Sequence, residues 1–263
     1  MSRILSKQVL RPPLSGEPVA FAYPQYGAEF VLPRALALPE QNREIVDLPQ
    51  PRALHSLSRA GLMLIAVGLP GKASIESYRD RDSFRIGIYC AMENGPDDFR
   101  SAREMIHTPD DEFATRYKSL RTPKQHFKLL TNVPASQLAI FLGINGPLCV
   151  FNHSRAASLQ ALNQAEFDLN HGCVAAALVC TAFSFENPLI SVRTWHDAPE
   201  GSVLCEAAAC IVLVPDGSYT NWKQQLSPGG AYHYGVADTL VKIAAAEEEN
   251  FRESSLLAAG NCR

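Results

Sequence analysis

Apolar and polar positions along this chain fall into blocks whose lengths and spacing suit strands and helices in turn. Phe84–Met92 and Val174–Ala182 are near-continuous apolar runs bounded by turn residues, the pattern of strands buried on both faces. Leu148–Asn152 reads as a shorter strand, and Val203–Val214 as one long strand or a strand pair. Between these runs the period changes. Leu54, Leu57, Leu62, Leu64 and Ile65 predict a helix running to about Val67, stopped at Gly68-Leu-Pro-Gly71. Phe99–Ile106 and Ser154–Asn170 also carry helical spacing, and Asp97-Asp98 favours a helix start through the helix dipole. Further helical stretches are expected around Asp111–Leu120, Gln137–Leu142 and Asp238–Asn250, with Thr131–Pro134 and Glu186–Gly201 as loops. Strands alternating with helices give an α/β fold.

The first 52 residues differ from the rest. Eight prolines, from Pro12 to Pro51, break any periodicity, and only short pieces such as Val19–Tyr23 and Glu29–Leu32 suit strands. Such a segment is expected to wrap over a neighbouring surface. The chain therefore divides into a wrapping segment at 1–52, an α/β unit at 53–215 and a C-terminal loop and helix at 216–263.

Composition narrows the function classes. The hydrophobic fraction of 46% and charged fraction of 19% are those of an ordinary globular protein. A net charge of −3 argues against nucleic acid as a main partner. Apolar runs are too short to cross a bilayer, and Lys7, Arg11 and two prolines interrupt any signal-peptide core, so no membrane partner and a cytoplasmic location are expected. The seven cysteines have neither Cys-x-x-Cys nor zinc spacing, so they read as buried free thiols acting as small hydrophobes, with no metal site.

Four segments, in order, carry a family resemblance. Arg85–Met92 is similar to a strand that leads to a glycine-rich turn, and Thr131–Ile140 to an asparagine–proline loop. Gly143–Leu162 contains Gly146-Pro147, a strand, and then the start of a helix. Glu206-Ala207-Ala208 stands where a Glu-Gly-Ala motif precedes a later strand. Together the set resembles the N-terminal half of a β-ketoacyl synthase, across roughly Leu54 to Val214. The resemblance implies half of a thiolase-like fold: a mixed five-stranded sheet flanked by helices.

In that family the strand after Gly-Pro delivers a cysteine nucleophile to a helix N-terminus. Counting from Gly146-Pro147, this chain has Arg155 at that position. A guanidinium stays protonated and cannot attack a thioester. The family's C-terminal histidine pair has no counterpart either, because His196 and His233 lack its flanking residues. No catalytic residue is therefore expected. The chain resembles the chain-length factors of type II polyketide synthases, the silent partners of active ketosynthases.

That likeness implies the remaining expectations. A full-length ketosynthase would be the partner, as a heterodimer or heterotetramer, through Leu148, Cys149, Val150, Phe151, Asn152 and His153 at the sheet edge. Phe99, Ala102 and Ile106, at i, i+3 and i+7, would line the far end of the partner's acyl tunnel, with ordinary core packing as the plain alternative. The chain itself would need no cofactor; the partner would use a phosphopantetheinylated acyl carrier protein. Arg155 would either hold an anion or pair with a buried carboxylate such as Glu206. The rivals are a stand-alone acyl-thioester enzyme on the same scaffold and a carrier-protein-binding module.

Overall fold

In the computed structural model, which describes residues 2–23, 31–38, 51–93, 99–120, 123–152, 156–215 and 231–246, the elements follow one another with short connections. Strands β1 (Ser2–Leu10), β2 (Val19–Ala22) and β3 (Val31–Leu36) come first, then helices α1 (Pro51–Leu54), α2 (Arg59–Gly68) and α3 (Gly71–Arg81). Strand β4 (Ile86–Met92) is followed by four helices: α4 (Phe99–Ile106), α5 (Phe113–Leu120), α6 (Pro123–Leu129) and α7 (Asn132–Leu142). After β5 (Leu148–Phe151) come α8 (Ala157–Asn170), β6 (Ala176–Phe183) and α9 (Pro188–Asp197). The described chain ends with β7 (Val203–Cys205), β8 (Ala207–Pro215), β9 (Tyr232–His233) and a helix, α10, over 238–246.

The main sheet has five strands in the order β1-β8-β6-β4-β5. Strand β8 runs antiparallel to both its neighbours, whereas β6, β4 and β5 are mutually parallel. The sheet is therefore mixed and five-stranded, as the family resemblance implies. A second sheet, β2-β3-β7-β9, was not anticipated.

Both faces of the main sheet are covered, which explains why β4 and β6 read as unbroken apolar runs. Tyr89, Ala91, Ala177 and Val179 point into one core with Ala161, Leu162 and Ala165 of α8. Ile88, Cys90, Leu178 and Cys180 point into the other, with Leu64 and Ile65 of α2 and Leu138 and Leu142 of α7. The predicted small-residue face of α8 holds: Ser158, Ala161, Leu162, Ala165 and Leu169 are all buried. Small side chains there let the helix lie close to the strands.

Several elements differ from the sequence reading, each for a physical reason. The first residues do not only wrap: β1 pairs with β8 from Ser2↔Pro215 to Leu10↔Ala208 and forms one edge of the main sheet. Its half-buried residues, several of them polar, hide the strand period. The helix expected near 54–67 is split, and α2 begins after Ser58, whose side chain caps Gly61 N. Helix α3 escapes notice because Ile75 is the one large side chain that it buries. Asn132-Val-Pro134, expected as a loop, is the first turn of α7, where proline's missing N–H costs nothing. The loop expected at Glu186–Gly201 contains α9, capped by the Asn187 side chain with Pro188 at its first position.

Two glycines fix the approach to β5. Gly143 ends α7 in a left-handed conformation, φ 68°, and its N–H bonds back to Ala139 and Ile140 carbonyls. A Cβ on Gly146 would stand 2.2 Å from the Ile86 carbonyl oxygen, so only glycine lets this turn pass the start of β4.

Candidate functional site

Strands β4, β5 and β6 run in register, with Cys90 opposite both Val150 and Cys180, so their carboxyl ends share one edge of the sheet. From β4 the chain crosses to β5, at the end of the sheet, and from β5 it returns past β4 to β6. Successive connections leave in opposite directions, the arrangement that in open α/β sheets puts the ligand crevice at the carboxyl edge.

Glu93 stands there, one residue beyond β4. It is 8% exposed, and neither carboxylate oxygen has a hydrogen bond among the described residues. Its partner is Arg193 of α9, whose Nη2 lies 3.0 Å from Oε2, outside good hydrogen-bond alignment. Burial raises the Glu93 pKa above the usual carboxylate value; Arg193 pulls it partly back and Asp197 adds to the rise.

A second buried carboxylate is fully satisfied. Glu206, 2% exposed, accepts from Leu38 N at 2.8 Å and Phe185 N at 2.9 Å. Arg59 Nε and Nη2 reach its two oxygens at 2.9 and 2.7 Å. The same guanidinium donates to the Leu38 carbonyl at 2.6 Å. Glu206 therefore ties the ends of β3, β6 and β7 to the start of α2. Among the described residues Arg59 is the cation that takes up the oxygens of Glu206; Arg155, the partner the sequence suggested for it, lies outside them. Glu186 lies next to this group and accepts from the backbone N of Arg59. Burial raises its pKa, offset in part by that bond and by Lys128 and Arg59.

The thiols behave as small hydrophobes. Cys90, Cys180 and Cys210 stand opposite one another on three adjacent strands, all buried, with Cys180 and Cys210 sulfurs 3.2 Å apart. Burial pushes the Cys90 and Cys205 thiols up to about 12, and raises Cys149 as well. These three are not thiolates at neutral pH, so none is a ready nucleophile. Among the described thiols, Cys149 is half-buried and Cys173 is exposed.

The expected site residues fall as follows. Leu148, Cys149, Val150 and Phe151 form β5, half-buried, at the open end of the sheet, and Asn152 follows directly. Leu148 and Val150 pack toward α7, Cys149 and Phe151 toward the α8 side. His153 and Arg155 lie outside the described residues; the strand before them ends at Phe151 and the helix after them starts at Ala157. Phe99 and Ala102 belong to α4, with their side chains outside the described residues, whereas Ile106 at its end is 79% exposed. Sequence reasoning passed over Glu93, Arg193, Glu186 and Arg59. The signal for Glu93 was available: an acidic residue directly after a fully apolar strand and before Asn94-Gly95-Pro96.

No protein-family model and no curated protein matches the sequence. Solved structures do match in shape. A β-ketoacyl synthase from Burkholderia phymatum superimposes with a TM-score of 0.55 at 17% identity, over 76% of this chain and 52% of that one. The ketosynthase ApeO in complex with its chain length factor ApeC, from Xenorhabdus doucetiae, gives 0.55 at 12% identity over 82% and 58%. AntDE:AntF, a type II polyketide synthase carrier protein in complex with its ketosynthase, gives 0.54 at 16% identity over 68% and 53%. The fold is a partial thiolase-like fold of the ketosynthase kind. This chain spans a little over half the length of those it matches. Among the described residues no helix is long and apolar enough to cross a membrane, and no cluster of three or more His, Cys, Asp or Glu is arranged to hold a metal.

Proposed function

We propose that this chain is a non-catalytic, chain-length-factor-like subunit that pairs with a full-length ketosynthase in type II polyketide biosynthesis, of aromatic or aryl polyene products. The observation that carries the reading is the edge position of β5, whose outer backbone groups no strand pairs within the described chain, directly before the segment that holds Arg155. An exposed edge of this kind is a template for another strand. On this reading β5, with Asn152 and His153, lies against the matching strand of the ketosynthase. Arg155 occupies the nucleophile position without acyl chemistry. The ketosynthase holds the growing chain on its own cysteine, and an acyl carrier protein with its phosphopantetheine arm brings the extender units. Phe99, Ala102 and Ile106 on α4 would shape the far end of the tunnel, the exposed Ile106 becoming covered in the pair.

Co-expression with a full-length type II ketosynthase, followed by size-exclusion chromatography, tests the pairing. A stable heteromer with the native chain, lost with Val150→Asp, is the expected result. Two separate monomer peaks with the native chain, or thioester turnover by the purified chain without a partner, would overturn it. A size series at Phe99 and Ile106 then reads tunnel shaping through product length, and an unchanged product removes that role.

A further inference from the structure

One cluster of nucleophilic side chains lies away from the carboxyl edge and has no part in the proposed pairing. In the middle of the main sheet, Cys180 of β6 is opposite Cys210 of β8 in antiparallel register and opposite Cys90 of β4 in parallel register. All three are buried in the core that α2 and α7 cover. The Cys180 and Cys210 sulfurs are in contact at 3.2 Å. Directly opposed residues of an antiparallel pair have Cα atoms about 4.5 or 5.5 Å apart, and a disulfide spans about 4.4–6.8 Å. Either kind of pair therefore suits the bond without backbone movement. The sulfurs need only close from 3.2 Å to the bonded distance of about 2.0 Å.

We infer that Cys180 and Cys210 are a dithiol that closes to a disulfide in an oxidising medium and locks β6 to β8. The oxidant is a low-molecular-weight disulfide. The thiolate of one cysteine attacks a sulfur of that disulfide and releases one small thiol. The second cysteine, as thiolate, attacks the mixed disulfide at the protein sulfur and releases the other. The pair loses two electrons and two protons, and the small disulfide leaves as two thiols. Burial decides when this happens. In the folded chain the hydrogen bond to Cys210 and burial hold the Cys180 thiol well above the ordinary thiol range, so exchange waits for the sheet to open. When the sheet closes again, a mixed disulfide is too bulky for the packed core, whereas the internal bond replaces two thiols already in contact. The same burial then shields the closed bond from reductant. Cys90 is the internal competitor, because it stands level with Cys180 on the other neighbouring strand.

The test uses the full chain, held near its urea midpoint in reduced and oxidised glutathione so that it opens and closes repeatedly, then returned to urea-free buffer. Maleimide labelling after denaturation should find two fewer thiols than the seven of the sequence. Fragment mass spectrometry of the native chain should place the link at Cys180–Cys210. Cys210→Ala should abolish it, and Cys149→Ala and Cys173→Ala should leave it. The bond joins residues 30 apart in sequence, so the linked chain should melt about 5–15 °C above the reduced one. Dithiothreitol should open the link in urea and not without it. An unchanged thiol count overturns the inference, as does a link from Cys180 to Cys90 or glutathione retained on Cys180 or Cys210. A linked chain that melts below the reduced one also overturns it, because the bond then strains the sheet rather than locking it. The pairing through β5 is untouched by any of these results, since both sulfurs lie inside the core.

Discussion

Buried carboxylates at one edge of the sheet are held in opposite ways, and the difference sets their response to change. Glu206 has both oxygens matched by donors, so removing its cation leaves a buried charge exposed to nothing but backbone N–H groups. Arg59→Ala should destabilise the chain by about 3–5 kcal/mol in urea unfolding. The double variant Arg59→Met/Glu206→Leu should recover part of the loss, because it removes the stranded charge along with its partner. Glu93 is the reverse case. Burial raises its folded-state pKa above its unfolded value, so the folded protein holds that proton more tightly. Folding is therefore favoured by this group below the unfolded carboxylate pKa, and the contribution is lost as pH rises through the folded value. Glu93→Gln should raise stability at pH 7, and the gain should shrink as pH falls toward the range where the native carboxyl is protonated in both states. Arg193 is 54% exposed, so it should lose little when its partner is neutral. Thermal melts of both proteins from pH 4 to pH 8 measure the gap; a gap that grows toward acid would contradict the sign.

At the scale of elements, what the sequence disclosed depended on how each element is buried. Strands β4 and β6, covered on both faces, and helix α8, packed by one small-residue face, announce themselves through apolar spacing. Helices α3 and α9 do not. Ile75 is the only large side chain that α3 buries, and α9 is specified chiefly by its cap, Asn187 with Pro188. Strand β1 sits at a sheet edge with a half-buried pattern, so its place is set by pairing with β8 rather than by its own residues. The site was legible to a similar degree. The Gly146-Pro147 turn and the β5 edge could be read from motif order, but Arg59 meets Glu206 across 147 residues of chain, a contact that no local pattern carries. Helix α2 shows a cap at work: Ser58 accepts from Gly61 N at 3.1 Å, and both residues are buried, so water cannot replace the bond. Ser58→Ala should cost about 1 kcal/mol, within a range of roughly 0.5–2, in urea unfolding. Loss of less than a few tenths would mean that α2 is held by its packing on β6 and β8 alone.

For the whole molecule, the layered core and the open edge make separate statements. The core is complete on both faces of β4 and β6, so the chain should fold cooperatively without a partner. Among the described residues the sheet ends at β5, where four half-buried residues present backbone that no described strand pairs on one side. If the proposed ketosynthase covers that edge, it binds the folded chain and not the unfolded one, and stability must rise with partner concentration. At a partner concentration 100 times the dissociation constant the gain is about 2.7 kcal/mol, which for a chain of this size corresponds to about 5–10 °C in Tm. The rise should continue with further partner rather than saturate, because the gain grows with the logarithm of concentration. Val150→Asp should remove this dependence; because Val150 is half-buried and packs toward α7, the variant also lowers the Tm of the unpartnered chain, so the readout is the slope of Tm against partner concentration and not the absolute Tm. Differential scanning fluorimetry across a partner titration, with the melt of this chain followed by its own label, gives the slope. A Tm independent of partner concentration, for a chain that folds well by itself, would mean that β5 is tolerated as a free edge and that the molecule works through another surface.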